Sequence, residues 1–379
     1  MTPGTALVGG RGMLGGMTAT PDDAYSPGSH LLPHVHALPR YVPGARPEEG
    51  RRVVKLSSNE MPHPALPGVA EAAAAATTAA GRYPDMAAVD LVGALAERHG
   101  VEPDAILVGG GSTAVLETIL RATCTAGDEV VAAWRSFEAY PIAVRITGAE
   151  LVTVPVDDQG RHRLEAMIER ITDRTRVMLL CSPNNPTGPA LSRTELVAAL
   201  DRIPRRVLVL LDEAYIDFVT ADDPTDGSSL LADHPNLVVL RTFSKAYSLA
   251  GLRVGYALGH PELMGGMRAA ATPFGVSAPA QAAAVAALAQ QDEVRRRVAE
   301  VVAERDRLVS GLRERGIDVP DAQGNFVWLP LGERTADFAT AAAAAGLLVR
   351  PFAPEGVRIT AAEPADTDAV LALAEEFLA

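Results

Sequence analysis

Lysine is almost absent from this chain of 379 residues: it occurs at two positions, and the other 32 basic residues are arginines. A chain with this bias is expected to keep lysine where arginine cannot do the chemistry. A deprotonated primary amine can attack a carbonyl group to form an imine, whereas guanidinium stays protonated and is a poor nucleophile. Lys245, in the segment Thr-Phe-Ser-Lys-Ala-Tyr, is therefore a candidate imine-forming lysine. The alternative is a surface lysine, and that interpretation suits Lys55.

Cysteine, basic tracts and long apolar runs are also scarce. Cys124 and Cys181 lack the spacing of a zinc site or a disulfide framework and lie in apolar runs, which favours buried, unreactive thiols. No apolar run reaches the roughly 18 residues of a membrane-spanning helix. The net charge of −13 without a basic tract argues against nucleic acid as a main partner, but small anionic ligands need only a few arginines.

The length predicts about two domains, and 48% apolar with 21% charged residues is typical of a globular chain. Residues 1–32 are rich in glycine and proline and lack the pattern of a signal peptide, which predicts a disordered arm on a cytoplasmic protein. We predict an N-terminal segment at residues 33–67 that contributes to a small domain, and a large domain at residues 68–280. A connector helix and the small C-terminal domain follow at residues 281–379.

Short apolar runs alternate with stretches of helical periodicity. Strands are predicted at residues 105–108, 129–133, 177–180, 207–211, 237–240 and 254–259. Because these runs are apolar throughout, they predict an α/β fold with a mostly parallel sheet covered on both faces. Helices are predicted at residues 68–80, 86–99 and 281–315. The small α/β domain is expected to contain a strand at residues 326–329, a helix near 335–345 and a strand pair at 347–350 and 356–360.

Polar loops follow the predicted strands, at the edge where an open α/β sheet presents its ligand site. The glycine-rich turn at residues 109–113 enters a helix and suits a phosphate, although such turns are common. Asn185, in Asn-Asn-Pro-Thr-Gly, is either a turn residue or a donor to a ligand oxygen. Asp212 ends an apolar strand, where it either caps a helix or meets a cation such as a protonated ring nitrogen. Ser244 and Arg253 suit a phosphate.

In this order and spacing, the glycine turn, Asn-Pro, Asp-x-x-Tyr and Ser-Lys followed by Arg resemble the fold-type I pyridoxal-phosphate aminotransferases. The resemblance covers residues 33–379 and implies that fold, with a large domain built on a mostly parallel sheet. Five segments are similar to the histidinol-phosphate aminotransferase branch: residues 56–60, 82–85, 182–188, 325–328 and 357–360. Trp-Arg-Ser-Phe-Glu-Ala-Tyr-Pro at residues 134–141 is similar to the actinobacterial aromatic, phenylalanine-type aminotransferases of that branch.

The resemblance implies pyridoxal 5′-phosphate as cofactor, held by Lys245 as an internal aldimine, with Lys245 also serving as the base. Asp212 is expected to pair with the ring nitrogen. Asn185 and Tyr215 are expected to hydrogen-bond the phenolic oxygen, and Phe137 to stack on the ring. The phosphate is expected to be held by Ser112, Thr113, Ser244 and Arg253. In this family a tyrosine at the position of Tyr83 reaches the phosphate of the neighbouring subunit, which implies an obligate homodimer.

The resemblance also implies a substrate site. Arg358 is expected to bind the substrate anion with Arg350 as helper, and a surface salt bridge is the alternative for Arg350. Tyr41 and the segment from Asn59 to residue 63 are expected to form a lid. The chain departs from the family at His63 and at Gly275, which are expected to border the substrate end, and this puts side-chain specificity in doubt. A solvated loop histidine is the alternative for residue 63.

The leading interpretation is ping-pong transamination of an aromatic amino acid with 2-oxoglutarate and glutamate as the other pair. Histidinol-phosphate transamination in histidine biosynthesis is the runner-up, because both substrates present an anion and a flat ring to the same site. An apolar pocket separates such rings only about 10- to 100-fold. A pyridoxal-phosphate decarboxylase on the same fold is a further alternative. An aminotransferase-like regulator would need a DNA-binding domain that residues 1–32 cannot build.

Overall fold

The computed structural model describes residues 30–36, 38 and 53–378. The chain divides into two units, residues 1–37 and 38–379. The described part of the first unit contains the short helix α1 (Pro33–His36). Apart from residues 30–32, the predicted arm at residues 1–32 lies outside the described residues, and so does the predicted lid residue Tyr41.

The described part of the second unit contains eleven α-helices and twelve strands. The helices are α2 (Val69–Thr77), α3 (Val89–His99), α4 (Ser112–Thr123), α5 (Tyr140–Arg145), α6 (Leu164–Glu169), α7 (Arg193–Leu200), α8 (Pro261–Ala269), α9 (Ala278–Leu288), α10 (Gln291–Glu314), α11 (Thr335–Ala344) and α12 (Pro364–Leu378). The strands are β1 (Val54–Lys55), β2 (Ile106–Gly109), β3 (Glu129–Trp134), β4 (Glu150–Pro155), β5 (Thr175–Cys181), β6 (Leu208–Asp212), β7 (Leu237–Thr242), β8 (Gly255–Gly259), β9 (Phe326–Leu329), β10 (Leu347–Leu348), β11 (Arg350–Phe352) and β12 (Gly356–Thr360). None of the described helices combines the length and apolar character that crossing a membrane requires.

Seven strands form the central sheet in the order β2-β8-β7-β6-β5-β3-β4. Strand β8 runs antiparallel to both of its neighbours, and the other pairings are parallel. The predicted α/β class with a mostly parallel sheet is confirmed. The sequence pattern missed β4, because this edge strand is largely exposed and its run, Glu-Leu-Val-Thr-Val-Pro, is not apolar throughout.

The sheet is packed on both faces, as its apolar strands predict. Along β6, Val209 and Leu211 enter the apolar cluster on one face, whereas Leu208 and Leu210 enter the cluster on the other. Successive side chains of a strand point to opposite faces, so a strand of this kind is fixed from both sides. The carboxyl end of β6, and Asp212 with it, is therefore held in a well-defined position.

The C-terminal part of the chain forms a smaller antiparallel sheet in the order β11-β12-β9. In this sheet Arg350 on β11 lies directly opposite Arg358 on β12. The strand predicted at residues 347–350 is divided in two, because β10 pairs with β1 whereas β11 pairs with β12. The boundaries of the predicted domains, at residues 32, 67 and 280, remain a prediction.

The single helix predicted over residues 281–315 is wrong in one respect: two helices, α9 and α10, occupy this stretch. Gln290 between them has backbone angles outside the helical range, with φ −117° and ψ 44°. Its side-chain amide donates to the carbonyl oxygen of Ala286 at 3.2 Å. No glycine or proline marks this break, so the apolar periodicity continues through it and the sequence pattern does not reveal it.

Candidate active site

Polar residues that follow separate strands meet at one cavity of about 190 Å³. Nine of the ten predicted cofactor-binding residues line this space, which we call the cofactor cavity: Ser112, Thr113, Phe137, Asn185, Asp212, Tyr215, Ser244, Lys245 and Arg253. The carboxyl ends of parallel strands share one edge of a sheet, and this topology brings these nine residues together from five segments.

Lys245 lies half-buried in this cavity, and its Nζ donates to the carbonyl oxygens of Ser58 at 3.1 Å and Asn59 at 3.2 Å. Burial, helped by the nearby charge of Arg358, lowers the pKa of Lys245 to about 7. A substantial fraction of the amine is therefore neutral near pH 7, as a nucleophile or a general base requires. Lys55, by contrast, is exposed and pairs with Glu60 at 2.9 Å, as expected of a surface lysine.

Asp212 is buried at the end of β6, and burial raises its pKa to about 6. Two donors oppose this shift: the Tyr140 hydroxyl at 2.8 Å and the Ala214 amide at 3.2 Å. Tyr140 was not among the predicted site residues, although it lies in the segment 134–141 that resembles the aromatic aminotransferases and three residues beyond Phe137. A buried tyrosine hydroxyl needs a hydrogen-bond partner, so the sequence could have predicted that Tyr140 has one. That this partner is Asp212 depends on the fold.

One end of the cofactor cavity is shaped for a small anion. Ser112 and Thr113 open helix α4, whose first amides have no partner within the helix. Gly111, with φ 90°, lies so close to the Arg253 guanidinium that a side chain there would collide with it. Thr242 donates to the Ser244 hydroxyl at 2.9 Å, which fixes the orientation of that hydroxyl. The result is a group of hydroxyls, amides and one guanidinium.

A second cavity of about 100 Å³ adjoins the first and shares five lining residues with it, including Lys245. We call it the anion cavity. Arg358 donates to Asn185 Oδ1 at 2.6 Å and to the Ser57 carbonyl oxygen at 2.5 Å. Arg350 donates through Nε and Nη2 to Glu138 Oε2 at 3.2 and 2.6 Å. Arg350 is only 8% exposed, so this is an ion pair inside the cavity rather than a surface salt bridge.

Two further predicted residues line neither cavity. Asn59 is fully buried, donates to the Tyr215 hydroxyl at 2.9 Å and accepts from Thr360 at 3.1 Å, so the structure places it as a support for Tyr215. A direct contact between Asn59 and substrate remains a prediction. Tyr83 is 81% exposed and stacks on Phe274 with ring centres 4.6 Å apart.

The two departures from the family pattern also lie away from these cavities. His63 pairs through Nε2 with Glu300 of α10 at 2.9 Å. Gly275 lines a separate cavity of about 530 Å³, which we call the side cavity, together with Met86 and Phe274. Within one protomer, neither residue lines the cavity that contains Arg358, and their place at the substrate end remains a prediction.

The two cysteines are buried and form no disulfide. Burial beside Asp212 raises the pKa of Cys181 to about 12, so this thiol stays protonated although it lines the cofactor cavity. Burial also raises the pKa of Cys124. Both observations agree with unreactive thiols. Among the described residues, no group of three or more His, Cys, Asp or Glu side chains is placed to hold a metal ion.

Comparison with known proteins gives a consistent result. The profile of the family described as aminotransferase class I and II matches residues 51–374. The aromatic amino acid aminotransferase of Streptomyces avermitilis is 50% identical over 348 residues, covering 92% of this chain and 97% of that protein. The enzyme of the same name from Rhodococcus erythropolis is 48% identical over 351 residues, with coverages of 93% and 97%.

Among solved structures, the histidinol-phosphate aminotransferase of Sinorhizobium meliloti, in complex with pyridoxal-5′-phosphate, superposes with a TM-score of 0.83. It is 31% identical to this chain and covers 92% of it, while the chain covers 98% of that protein.

Proposed function

This chain belongs to the aminotransferase class I and II family, and from this premise we propose that it transfers the amino group of a phenylalanine-type aromatic amino acid to 2-oxoglutarate. The observation that carries the proposal is the position of Lys245. Its amine, with a pKa lowered to about 7, lies where the cofactor cavity and the anion cavity meet. Lys245 can therefore contact both the cofactor and the substrate, as the transfer of an amino group between them requires.

The residues of the cofactor cavity fit pyridoxal 5′-phosphate. The end formed by α4, Ser244 and Arg253 suits its phosphate, Phe137 offers a ring face, and the buried carboxylate of Asp212 suits a protonated ring nitrogen. When bound, this cofactor supplies an aldehyde for the lysine and a ring that accepts the electrons of the substrate Cα–H bond. Gly111 has φ 90°, a conformation that a side chain would strain, and its lack of a side chain leaves room for the Arg253 guanidinium beside the first amides of α4, where a phosphate would lie.

The side chains of this protein then have distinct tasks. Lys245 holds the cofactor and moves the proton at the substrate Cα. Asp212 keeps the ring nitrogen protonated, and Tyr140 holds Asp212 in its charged form through the 2.8 Å hydrogen bond. Burial raises the pKa of Tyr215, so its hydroxyl remains a donor to the phenolic oxygen. The amide of Asn185 is the second donor, oriented by the bond from Arg358 to its oxygen.

Arg358 binds the substrate anion, since a guanidinium matches a carboxylate with two parallel bonds. The substrate class rests on the relatives that are 50% and 48% identical and are named aromatic amino acid aminotransferases. Histidinol phosphate is the second candidate, because the structurally similar Sinorhizobium protein bears that name and two arginines line the anion cavity. Decarboxylation on the same fold is disfavoured by the names of these relatives.

A half-reaction titration tests the proposal. The purified holoenzyme is mixed separately with phenylalanine, tyrosine and histidinol phosphate, and loss of the absorbance of the lysine-bound cofactor is followed. We expect fast conversion by phenylalanine and tyrosine and slow conversion by histidinol phosphate. The reverse order assigns the enzyme to histidinol-phosphate transamination. Carbon dioxide release without any dependence on a 2-oxo acid would identify a decarboxylase.

We also propose that the active form is a homodimer in which Tyr83 completes the partner's site. Tyr83 is 81% exposed, and Met86 and Val89 beside it are 65% and 63% exposed. Such neighbouring exposed apolar side chains mark an interaction surface. They adjoin the largely apolar side cavity of about 530 Å³. The position of Tyr83 outside both cavities of its own protomer supports a role in the other subunit.

Subunit complementation tests the dimer. Lys245→Ala and Tyr83→Ala proteins are each expected to be impaired, but mixed dimers contain one site with both side chains intact. Recovery of activity on mixing supports the shared site, and mixed dimers that stay inactive contradict it.

Small-molecule substrates suit a cytoplasmic enzyme, and cell fractionation tests that location.

A further inference from the structure

The anion cavity contains a carboxylate that the proposed reaction does not use. Glu138 lies at the cavity wall, with its side chain 31% exposed, and its Oε2 accepts two hydrogen bonds from Arg350. Glu138 follows Phe137, which lines both cavities. Glu138 itself lines the anion cavity and not the cofactor cavity, and its bonding partner there is Arg350.

The register of the small sheet explains why Arg350 needs a partner. Arg350 and Arg358 are directly opposed on neighbouring antiparallel strands, where like charges repel. Arg358 donates to the neutral oxygens of Asn185 and Ser57, whereas Arg350 donates to a carboxylate. The two guanidinium groups and the carboxylate together carry a net charge of +1.

A net charge of +1 matches one class of substrate anion better than another. The carboxylate of an amino acid carries one negative charge, whereas a phosphate monoester carries about −1.5 to −2 at pH 7. A phosphate would use both arginines only if Arg350 left Glu138, and the Glu138 carboxylate would then lie unpaired beside a dianion. A carboxylate needs Arg358 alone, and the Arg350–Glu138 pair stays intact.

We propose that Glu138 is a specificity-determining residue that selects carboxylate substrates over phosphate substrates by neutralising Arg350. The inference rests on the proposed function, since it concerns the anion bound by Arg358. Glu138 acts through Arg350 and is a positioning residue. A unit charge at this range in a partly buried site changes the affinity of an anion by roughly 10- to 100-fold.

The test uses three variants of the holoenzyme. Glu138→Gln removes the charge and keeps the shape, Glu138→Asp keeps the charge, and Glu355→Gln is the matched control. Glu355 pairs with Arg135, which belongs to the same segment as Glu138, but neither residue lines the anion cavity. The readouts are kcat/KM for phenylalanine and for histidinol phosphate, together with inhibition constants for inorganic phosphate and 3-phenylpropionate at constant ionic strength.

For Glu138→Gln we expect the ratio of kcat/KM for histidinol phosphate over phenylalanine to rise at least 10-fold, with inorganic phosphate inhibiting more tightly. Glu138→Asp and Glu355→Gln are expected to keep the wild-type ratio within about 2-fold. A purely structural role for Glu138 would weaken all ligands together and could not produce tighter phosphate binding.

An unchanged ratio in Glu138→Gln, or an equal change in Glu355→Gln, overturns the inference. If Glu138→Gln does not fold, judged by its thermal unfolding midpoint, Glu138→Ala is measured in the same way. A wild-type enzyme that converts neither substrate contradicts the proposed function itself. A wild-type enzyme that prefers phenylalanine, combined with an unchanged ratio, contradicts only the role of Glu138.

Discussion

The cofactor cavity and the anion cavity adjoin each other but are built in different ways. The nine predicted residues that line the cofactor cavity each follow a strand of the central sheet. The anion cavity joins segments far apart in the chain: 212 residues separate Arg350 from Glu138, and 301 separate Arg358 from Ser57. Sheet topology therefore specifies the cofactor end, whereas long-range packing of the small sheet specifies the substrate end.

The two cavities also differ in the groups that pair with their buried charged side chains. In the cofactor cavity, Asp212 is held by neutral donors, the Tyr140 hydroxyl and the Ala214 amide, and burial raises its pKa to about 6. In the anion cavity, Arg350 is balanced by a full opposite charge on Glu138. The cofactor stays bound, so Asp212 can have a raised pKa until the ring nitrogen pairs with it. Substrates leave after each turnover, so the buried charge of Arg350 needs a permanent partner.

The largest expected effect comes from Lys245→Ala, which breaks the cofactor end alone. We expect the absorbance of the lysine-bound cofactor to disappear and turnover to fall by more than about 10⁴-fold, because both the covalent attachment and the base are removed. Absorbance spectra and steady-state turnover measure this. Lys55→Ala is the matched control, since Lys55 is exposed and pairs with Glu60. Retention of the band and of turnover in Lys245→Ala would show that another residue holds the cofactor.

A smaller effect is expected from Arg358→Lys, which keeps the charge of the anion cavity but removes the planar fork. We expect the concentration of phenylalanine needed for half-saturation to rise about 100-fold, because bidentate binding is lost. The dissociation constant of pyridoxal phosphate should change less than about 3-fold, since Arg358 does not line the cofactor cavity and a lysine can still donate to Asn185 Oδ1. Arg135→Lys serves as control, and an equal loss of affinity for both ligands would contradict the separation of the two ends.

The smallest expected effect comes from Tyr140→Phe. The hydroxyl stabilises the charged form of Asp212, so its loss should raise the pKa of Asp212 further above its usual value. Turnover needs the carboxylate form of Asp212. The acid limb of the pH profile of kcat should therefore move to higher pH, by up to about one pH unit for a hydrogen bond worth about 1 kcal/mol. The pH dependence of kcat measures the shift.

At a pH well above that limb, we expect turnover of Tyr140→Phe to fall less than about 10-fold. Tyr247→Phe is the control, because Tyr247 is also buried but bonds Gln291 rather than Asp212. A limb that stays in place, or that moves to lower pH, would show that Tyr140 does not stabilise the charged form.

Local sequence patterns determined much of this protein. The apolar runs predicted the parallel sheet, and the polar residues after them, together with the family resemblance that they carry, predicted nine side chains that the structure gathers in one cavity. The scarcity of lysine reduced the imine-forming candidates to Lys245 and Lys55, and the segment around Lys245 favoured that residue. These inferences succeed because strand periodicity is local and because the carboxyl ends of parallel strands necessarily share an edge.

Tertiary structure alone decided the remaining features. The Glu138–Arg350 pair, the Tyr140–Asp212 bond and the placement of Asn59 beneath Tyr215 join segments between 72 and 212 residues apart. No local period or motif specifies such pairs, because they depend on how the small sheet and α5 pack onto the strand ends. For the same reason the strand at residues 347–350 was predicted as one piece, whereas pairing with two different partners divides it.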